Sequence, residues 1–376
     1  MYICNADDLE AFCQRARSYK VIAVDTEFLR ERTYHPKLCL IQVATADEAA
    51  AIDPLLLEDL APLVRLFEDD SITKVFHACD QDLEVIYDGM GCTPHPVFDT
   101  QLAAAFLGHR MQMGLGALVQ AYEGVHLDKA DGLTDWSRRP LDEGQLRYAE
   151  EDVLYLPRIY QAMMDDLSER DRISWLEPEL RAICDPRRFV RDPYDAYMHL
   201  KRSSSLTRRQ LAIAREVCAW RERSAERRNL PRKWVMSDEV VVEVCRRAPR
   251  TREKLLRIRG MDNLSDRDVE NVVRAVNQGV NCDPKMYPRV RHRARPSAEL
   301  DSVIDLMYAM LRLSADECQV ALPLIATRED LHALATGSKD SPLLKDWRWE
   351  VAGSRLMALL SGETGLTVKD GRVEVL

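Results

Sequence analysis

Two carboxylates close the apolar run VIAVDTEF, residues 21–28: Asp25 and Glu27, two apart in a stretch that reads as a β-strand. Strand side chains alternate between faces, so these two point the same way, roughly 7 Å apart. Acids so placed repel unless a cation lies between them. The pair is either a strand end emerging into solvent or half of a site for a hard metal ion, which takes oxygen ligands. A second group of acids, Asp80 and Asp82, stands in HACDQDLEV directly after the strand pattern TKVF. A strand-to-helix junction is a usual place for sites in α/β folds, although Asp80 could equally cap the helix. The third element is YAEED, in which Tyr148 and Asp152 are four apart on a helical pattern and so share a face. Taken alone, that pair fits the rim of a site or a plain Tyr–Asp hydrogen bond on an amphipathic helix.

The elements that would have to position these residues alternate between strand and helix over the first 165 or so residues. DDLEAFCQRA is helical, KVIAVDTE, KLCLIQVAT, EAAAID and TKVFHA are strands, and a helical stretch is expected from Leu55 to Phe67. Further helices are expected in DLEVIYDGM, DTQLAAAFLG and GLGALVQAY, with Asp99 as the N-cap of the second of these. After the loop DKADGLTDWSRRP comes a long helix from about Leu141, whose start shows a capping box, Asp142 with Gln145. Leu146, Ala149, Val153, Leu156, Tyr160 and Met163 repeat at three and four and make its buried face. Tyr148 and Asp152 flank that stripe, and Pro157 kinks or interrupts the helix. This is the pattern of a sheet covered by helices.

Beyond about Pro193 the strand pattern stops, and residues 205–280 read as several helices. DPKMYPRVRHRARP, with three prolines and no apolar period, reads as a linker, and another helical region follows from about Ser297 to Leu360. The tail LTVKDGRVEV alternates around Asp370-Gly371, the mark of a small hairpin. Net charge is −9, but Lys201–Gly260 holds 18 Lys/Arg against 7 Asp/Glu, a local +11 that leaves −20 elsewhere. An acidic body with a basic module fits a division between metal chemistry and polyanion binding. The ten cysteines are scattered without C-x-x-C or zinc spacing, which argues for reduced thiols in a cytoplasm. No signal peptide and no membrane-spanning run is expected.

The three acidic elements, in this order and at these spacings, are far more specific together than singly. With AVDTEFLRERTYHPKLCLIQVA, HACDQDLEV, DTQLAAAFLG and LDKADGLTDWSRRPL around them, residues 20–160 resemble the tyrosine-bearing branch of the DEDD exonuclease superfamily, and within it the ribonuclease D family. The basic stretch LTRRQLAIAREVCAWRERSAERRNLPRKWVMSDEVVVEVCRRAP looks like an HRDC domain, the helical module that family shares with RecQ-type helicases. The resemblance implies an α/β ribonuclease H-like exonuclease domain, a mixed sheet flanked by helices, followed by two all-α HRDC-type domains. The corresponding divisions are 1–170 for the exonuclease, 171–204 for a connector, 205–282 for the first helical domain, 283–296 for a linker and 297–376 for a second, diverged one.

The resemblance further implies a 3′–5′ exoribonuclease that trims 3′ extensions of structured RNA, tRNA precursors above all, releasing nucleoside 5′-monophosphates. Its cofactors would be two divalent ions, Mg2+ or Mn2+, about 4 Å apart. Asp25 would bridge them, Glu27 and Asp152 would hold the ion beside the attacking water, and Asp82 would serve the other. Tyr148 would orient or deprotonate the water; with an ordinary pKa near 10 it is a poor base, which favours positioning. Relatives often carry small residues where this chain has Glu150 and Glu151, both turned off the Tyr148–Asp152 face. Candidate substrate contacts are Phe28, stacking on the terminal base, His77 beside the second motif, and Arg30, Arg32 and His35 on phosphate. In the first helical domain they are Arg208, Arg209, Arg227, Arg228, Arg232 and Lys233, on the RNA backbone. No obligate protein partner is evident. A DNA exonuclease of the same superfamily and a non-catalytic RNA-binding protein are the competing readings. The first is weakened by the absence of any G-x-x-x-x-G-K-[ST] motor motif, the second by the presence of all five site residues.

Overall fold

The computed structural model describes residues 1–127, 134–261, 264–288 and 298–376. The chain folds as two compact units, one of Met1–Glu27, Leu38–Asp185 and Arg295–Leu376, the other of Phe28–Lys37 and Pro186–Ala294. The first is built on a six-stranded mixed sheet of order β1-β4-β3-β2-β5-β6. Its strands are β1 (Tyr2–Ile3), β2 (Val21–Leu29), β3 (Lys37–Ala44), β4 (Ala49–Ile52), β5 (Thr73–Phe76) and β6 (Val97–Asp99). β2 runs parallel to β5, in register at Val21 with Thr73 and Ala23 with Val75, and β3 runs antiparallel to β4. Ile22, Ala23 and Val24 of β2 are fully buried. The greasy half of VIAVDTEF is therefore part of an interior strand between β3 and β5, and the acidic half continues from it.

Helices α1 (Ala6–Ala16), α2 (Ala61–Phe67), α3 (Asp80–Met90), α4 (Thr100–Phe106), α5 (Leu115–Glu123), α6 (Glu143–Leu154), α7 (Leu156–Glu169) and α8 (Ile173–Ile183) accompany the sheet. The helix expected from Leu55 begins only at Ala61. Asp53 accepts from the Leu55 backbone N–H at 2.9 Å and bends the chain into turns before it can wind. The long helix from Leu141 is broken in two, with Pro157 at the start of α7, where its missing N–H costs nothing. The capping box is formed: Asp142 accepts from the Gln145 N–H at 2.8 Å, and the Gln145 side chain accepts from that of Asp142 at 3.0 Å. Ala149, Val153, Leu156 and Met163 of the forecast stripe are buried, while Leu146 and Tyr160 are half-buried.

The region expected as a separate second helical domain, 297–376, instead shares the core of this unit. It comprises α14 (Ala298–Cys318), α15 (Leu322–Ile325), α16 (Arg328–Ala335), and α17 (Asp346–Arg348) joined by a π-helical turn to α18 (Ser354–Ser361). Ile304, Met307, Met310 and Leu311 join one apolar cluster with Phe106 and Leu107. Trp347 stacks on Trp175 with centroids 5.5 Å apart and meets Phe106 edge-on at 5.2 Å. Gly353 is indispensable to this packing, since a Cβ there would sit 1.9 Å from the Leu343 carbonyl oxygen. The tail forms the expected hairpin, β7 (Leu366–Lys369) against β8 (Arg372–Val375), with Asp370 and Gly371 both at positive φ.

The second unit holds α9 (Arg208–Arg228), α10 (Arg232–Val235), α11 (Asp238–Arg247), α12 (Arg252–Leu256) and α13 (Asp266–Val280) around its own core of Val217, Val241, Val244, Val272 and Val276. α9 starts on a Thr207–Gln210 capping box and ends at Asn229 in the left-handed region. Much of the expected 283–296 linker and the Gly/Asp-rich part of the loop before Trp136 lie outside the described residues.

Arg172 carries the junction of the two segments of the first unit. Its guanidinium donates to the carbonyls of Phe106, Cys318 and Gln319, the last at 3.0 Å, and so caps the C-terminal ends of α4 and α14 together. A cation at two negative helix ends is favourable twice over. Arg172→Ala strands these buried carbonyls and is expected to cost about 2–4 kcal/mol of stability. Reversible denaturant unfolding measures it; a loss below about 0.5 kcal/mol would show that the cap is dispensable.

Candidate active site

β2 ends its buried run at Asp25 and Glu27, and α6 brings Asp152 to them. One carboxylate oxygen from each of the three lies within 4.8 Å of the others. Among the described residues this is the group of acids close enough to hold a cation. Burial chiefly, then the charges of Asp82, Asp152 and Glu27, push the Asp25 carboxyl well above the usual carboxylate range. Burial, Asp152 and Asp82 push Glu27 up to about 8. Asp152 is pushed up to about 7, mainly by burial, with Tyr148 pulling it down and the charges of Glu151 and Asp82 adding to the rise. Glu150 is exposed as expected, but Glu151 feeds charge into the site. The donor set is all carboxylate, with no thiol or imidazole, and it is short of positive charge. Both features fit a hard divalent cation.

Asp82 stands apart from the three. It is buried on the first turn of α3 and accepts a hydrogen bond from Thr26 Oγ1 at 2.5 Å. Burial raises its proton affinity to about 6 against the pull of that bond. Thr26, between the two acids of the first motif, thus links the first motif to the second, a role that DTE alone gave no reason to expect. Asp80 is not the N-cap that it could equally have been: Cys79 holds that position, and Asp80 is the exposed first helical residue.

Asp99 does more than the N-cap it was expected to be. Its carboxylate accepts from the Gln101 and Leu102 N–H groups of α4, at 2.8 and 3.1 Å. It also accepts from Ala78 and Cys79, at 3.2 and 2.9 Å. Ala78 has φ +62°, a conformation that costs an alanine roughly 1–2 kcal/mol. Asp99 therefore holds the strained turn that launches α3 and Asp82. His77, just before that turn, bonds through Nδ1 to Thr100 Oγ1 at 2.9 Å, and burial holds its pKa below the ordinary value.

Tyr148 lies one turn before Asp152 on α6. Burial, then the negative charges of Asp152, Glu27 and Asp25, push its hydroxyl far up, so it stays protonated at neutral pH. The Trp136 ring lies against it, centroids 6.0 Å apart.

The other candidate contacts belong to the second unit. The Arg30 guanidinium lies over the Phe28 ring at 5.3 Å, on a face that base stacking would need. The Tyr34 and His35 backbone N–H groups both donate to Asn229 Oδ1 at 3.1 Å. Three of the five arginines expected on the RNA backbone make bonds that hold the unit together. Arg232 makes a two-pronged pair with buried Glu222, at 2.5 and 2.6 Å, and lies over the Tyr34 ring. Arg228 pairs with buried Asp268 at 2.5 Å, and Arg208 donates to the carbonyls of Tyr287 and Pro288. An acid three per cent exposed, like Glu222, must be neutralised, and no count of basic residues reveals which arginine does it. Arg209, Arg227 and Lys233 are exposed. Lys233 lines a cleft of about 910 Å³ with Arg188, Arg191 and Lys201.

A mixed sheet with converging carboxylates at the end of an interior strand, completed by a Tyr–Asp pair on a helix, defines a 3′–5′ exonuclease. Residues 1–168 match the 3′–5′ exonuclease family, and residues 210–268 match the HRDC domain. The chain is 40% identical to the ribonuclease D of Sphingobium indicum, over 99% of this chain and 97% of that relative. It is 39% identical to the ribonuclease D of Jannaschia sp., over 100% of this chain and 98% of that one. The crystal structure of Escherichia coli RNase D, an exoribonuclease involved in structured RNA processing, superimposes with a TM-score of 0.84 at 30% identity, covering 96% of this chain and 98% of that one. The chain belongs to the ribonuclease D family and is a 3′–5′ exoribonuclease. Among the described residues, no helix is long and apolar enough to cross a membrane.

The crowded acids set a pH dependence. Their folded-state pKa values lie above the unfolded ones, so stability is full at low pH and is lost as pH rises from about 4 to 8, while the unfolded chain ionises first. A divalent cation bound there would replace the protons and gain affinity over the same range. Melting temperature in chelator is therefore expected to fall between about pH 5 and 8, and the rise on adding magnesium to grow. A magnesium shift equal at both pH values would mean that these carboxylates are not the ligands.

Proposed function

We propose that the chain hydrolyses the 3′-terminal phosphodiester of RNA in a metal-dependent reaction at Asp25, Glu27, Asp82, Tyr148 and Asp152, trimming 3′ extensions of structured RNA. The observation that carries this reading is the convergence of the Asp25, Glu27 and Asp152 carboxylates, which share a 4.8 Å space although none is easily ionised there. Two divalent ions, Mg2+ or Mn2+, bound at such a site supply an acidified attacking water and positive charge beside the departing 3′ oxygen. Asp25, which feels the charge of each of the other three acids, would contribute its carboxylate to holding the ions. Glu27 and Asp152 would hold the ion beside the attacking water, and Asp82, kept in place by Thr26, would serve the other. Tyr148 keeps its proton, so its hydroxyl orients the water by donating or accepting a hydrogen bond and does not act as the base.

The fold likeness to E. coli RNase D, which processes structured RNA, supports RNA with a single-stranded 3′ extension as substrate, and tRNA precursors as the class to test first. The basic module around α9 and α10 supplies backbone contacts through Arg209, Arg227 and Lys233.

Asp25→Asn is expected to lower release of nucleoside 5′-monophosphates from a 3′-extended tRNA by more than about 1,000-fold in magnesium, about 4 kcal/mol of barrier. Activity within tenfold of wild type would remove Asp25 from the site. Equal rates on DNA of the same sequence would favour the deoxyribonuclease reading. Lys233→Ala is expected to weaken RNA affinity and flatten its salt dependence by about one ion. Arg228→Ala should instead lower the melting temperature. Filter binding across a salt series, with thermal unfolding alongside, separates the two; equal effects on both would undo the assignment.

A further inference from the structure

The segment Thr134–Asp142, which leads into the cap of α6, is tied down by a series of hydrogen bonds. Gln145 Nε2 donates to Thr134 Oγ1 at 3.1 Å. Asp135 accepts from the Ser137 N–H and hydroxyl, at 3.1 and 2.7 Å. Arg139 then makes five hydrogen bonds, two to Asp53, one at 2.8 Å to the Trp136 carbonyl, and one each at 2.7 Å to the Cys39 and Arg138 carbonyls. Asp53 is fully buried, at the end of β4, and accepts a further bond from the Tyr2 hydroxyl. The Trp136 ring is 2% exposed, and its indole N–H makes no protein hydrogen bond. Packing and the Arg139 bond to its carbonyl therefore set its place, and that place is against Tyr148.

We infer that Arg139 is a positioning residue for the reaction: anchored on Asp53 and the Cys39 carbonyl, it seats the Trp136 ring against Tyr148 and so fixes the Tyr148 hydroxyl beside Asp152. A guanidinium is required because only its planar fork meets a carboxylate with two parallel bonds while reaching carbonyls on its other edge. A lysine ammonium can satisfy Asp53 but not the Cys39 and Trp136 carbonyls at once. The N-terminal half of α6 is thereby held at two points, by the capping box at Asp142 and by the Trp136 buttress at Tyr148. The inference rests on the role proposed above for Tyr148.

The test is a double-mutant cycle on the full chain with a 3′-extended RNA in magnesium, using Arg139→Met, Tyr148→Phe and the double variant, with Arg139→Lys as the conservative partner. Arg139→Met is expected to lower kcat by about 10- to 100-fold with KM within about threefold, as a misplaced reacting group does. Arg139→Lys should recover part of that loss. In the Tyr148→Phe background the Arg139→Met factor should shrink to about threefold or less, because the two act through one hydroxyl. A full and independent factor in that background, or an Arg139→Met enzyme with wild-type kcat, overturns the inference. A Tyr148→Phe enzyme with wild-type kcat overturns the role of Tyr148 itself, which the single variant shows separately. If thermal unfolding shows that Arg139→Met is not folded, Trp136→Phe, which keeps the apolar contact but shrinks the buttress, takes its place in the same cycle with the same outcomes.

Discussion

Asp25, Glu27, Asp82 and Asp152 carry carboxyl groups that water has largely left and that sit within one another's fields. Left to relax, such groups separate or protonate. The surrounding structure denies them the first option. β2 cannot retreat because it is an interior strand with a fully buried apolar half. α3 cannot swing because Asp99 grips the turn before it from the neighbouring strand end. α6 cannot slide because its first turn is closed by a reciprocal cap and its inner face packs across β4. The stability of the sheet is thus spent on holding charge where it does not want to be, and a cation relieves what the fold imposes.

The same economy governs the positive charge. The excess of Lys and Arg in Lys201–Gly260 marked a basic module suited to polyanions. In the folded unit a share of it is neutralised internally, because α9 and α13 bury Glu222 and Asp268, which demand partners. What remains for a polyanion is smaller and more localised than the composition suggests, and it sits on exposed helical positions such as Arg209 and Lys233. An arginine that forms two bonds to a buried acid is a structural member, and losing it costs more than a phosphate contact is worth.

The secondary structure was legible where periodicity and caps agree: β2, β5, α6 with its capping box, α9 and the terminal hairpin. The register of acids was legible as well, since alternation puts Asp25 and Glu27 on one face and helical spacing pairs Tyr148 with Asp152. What sequence could not show were connections made across the fold. Thr26 reaching Asp82, Asp99 gripping Ala78, and Arg139 reaching Asp53 join residues 56, 21 and 86 positions apart. No local pattern encodes such a pairing. The start of α2 was misplaced for the same kind of reason: the Asp53 carboxylate competes for the backbone at Leu55, and nothing in the apolar pattern announces it.

The C-terminal helices gave the largest departure from expectation, and the reason lies in α4. Its sequence, TQLAAAF, is so apolar that Ala103, Ala104, Ala105 and Phe106 are all fully buried. A helix buried on every side needs cover on every side, and the sheet can provide only one. α7 and α8 supply part of the rest, and α14 with the Trp347 region supplies the remainder, sealed by Arg172 across the two helix ends and by the Ala321 N–H donating to the Ala105 carbonyl at 2.9 Å. The helical tail is therefore part of the core of the exonuclease unit. A chain cut after α8 would expose Phe106, Leu107 and Trp175 to water together, an apolar patch that a monomeric domain does not tolerate.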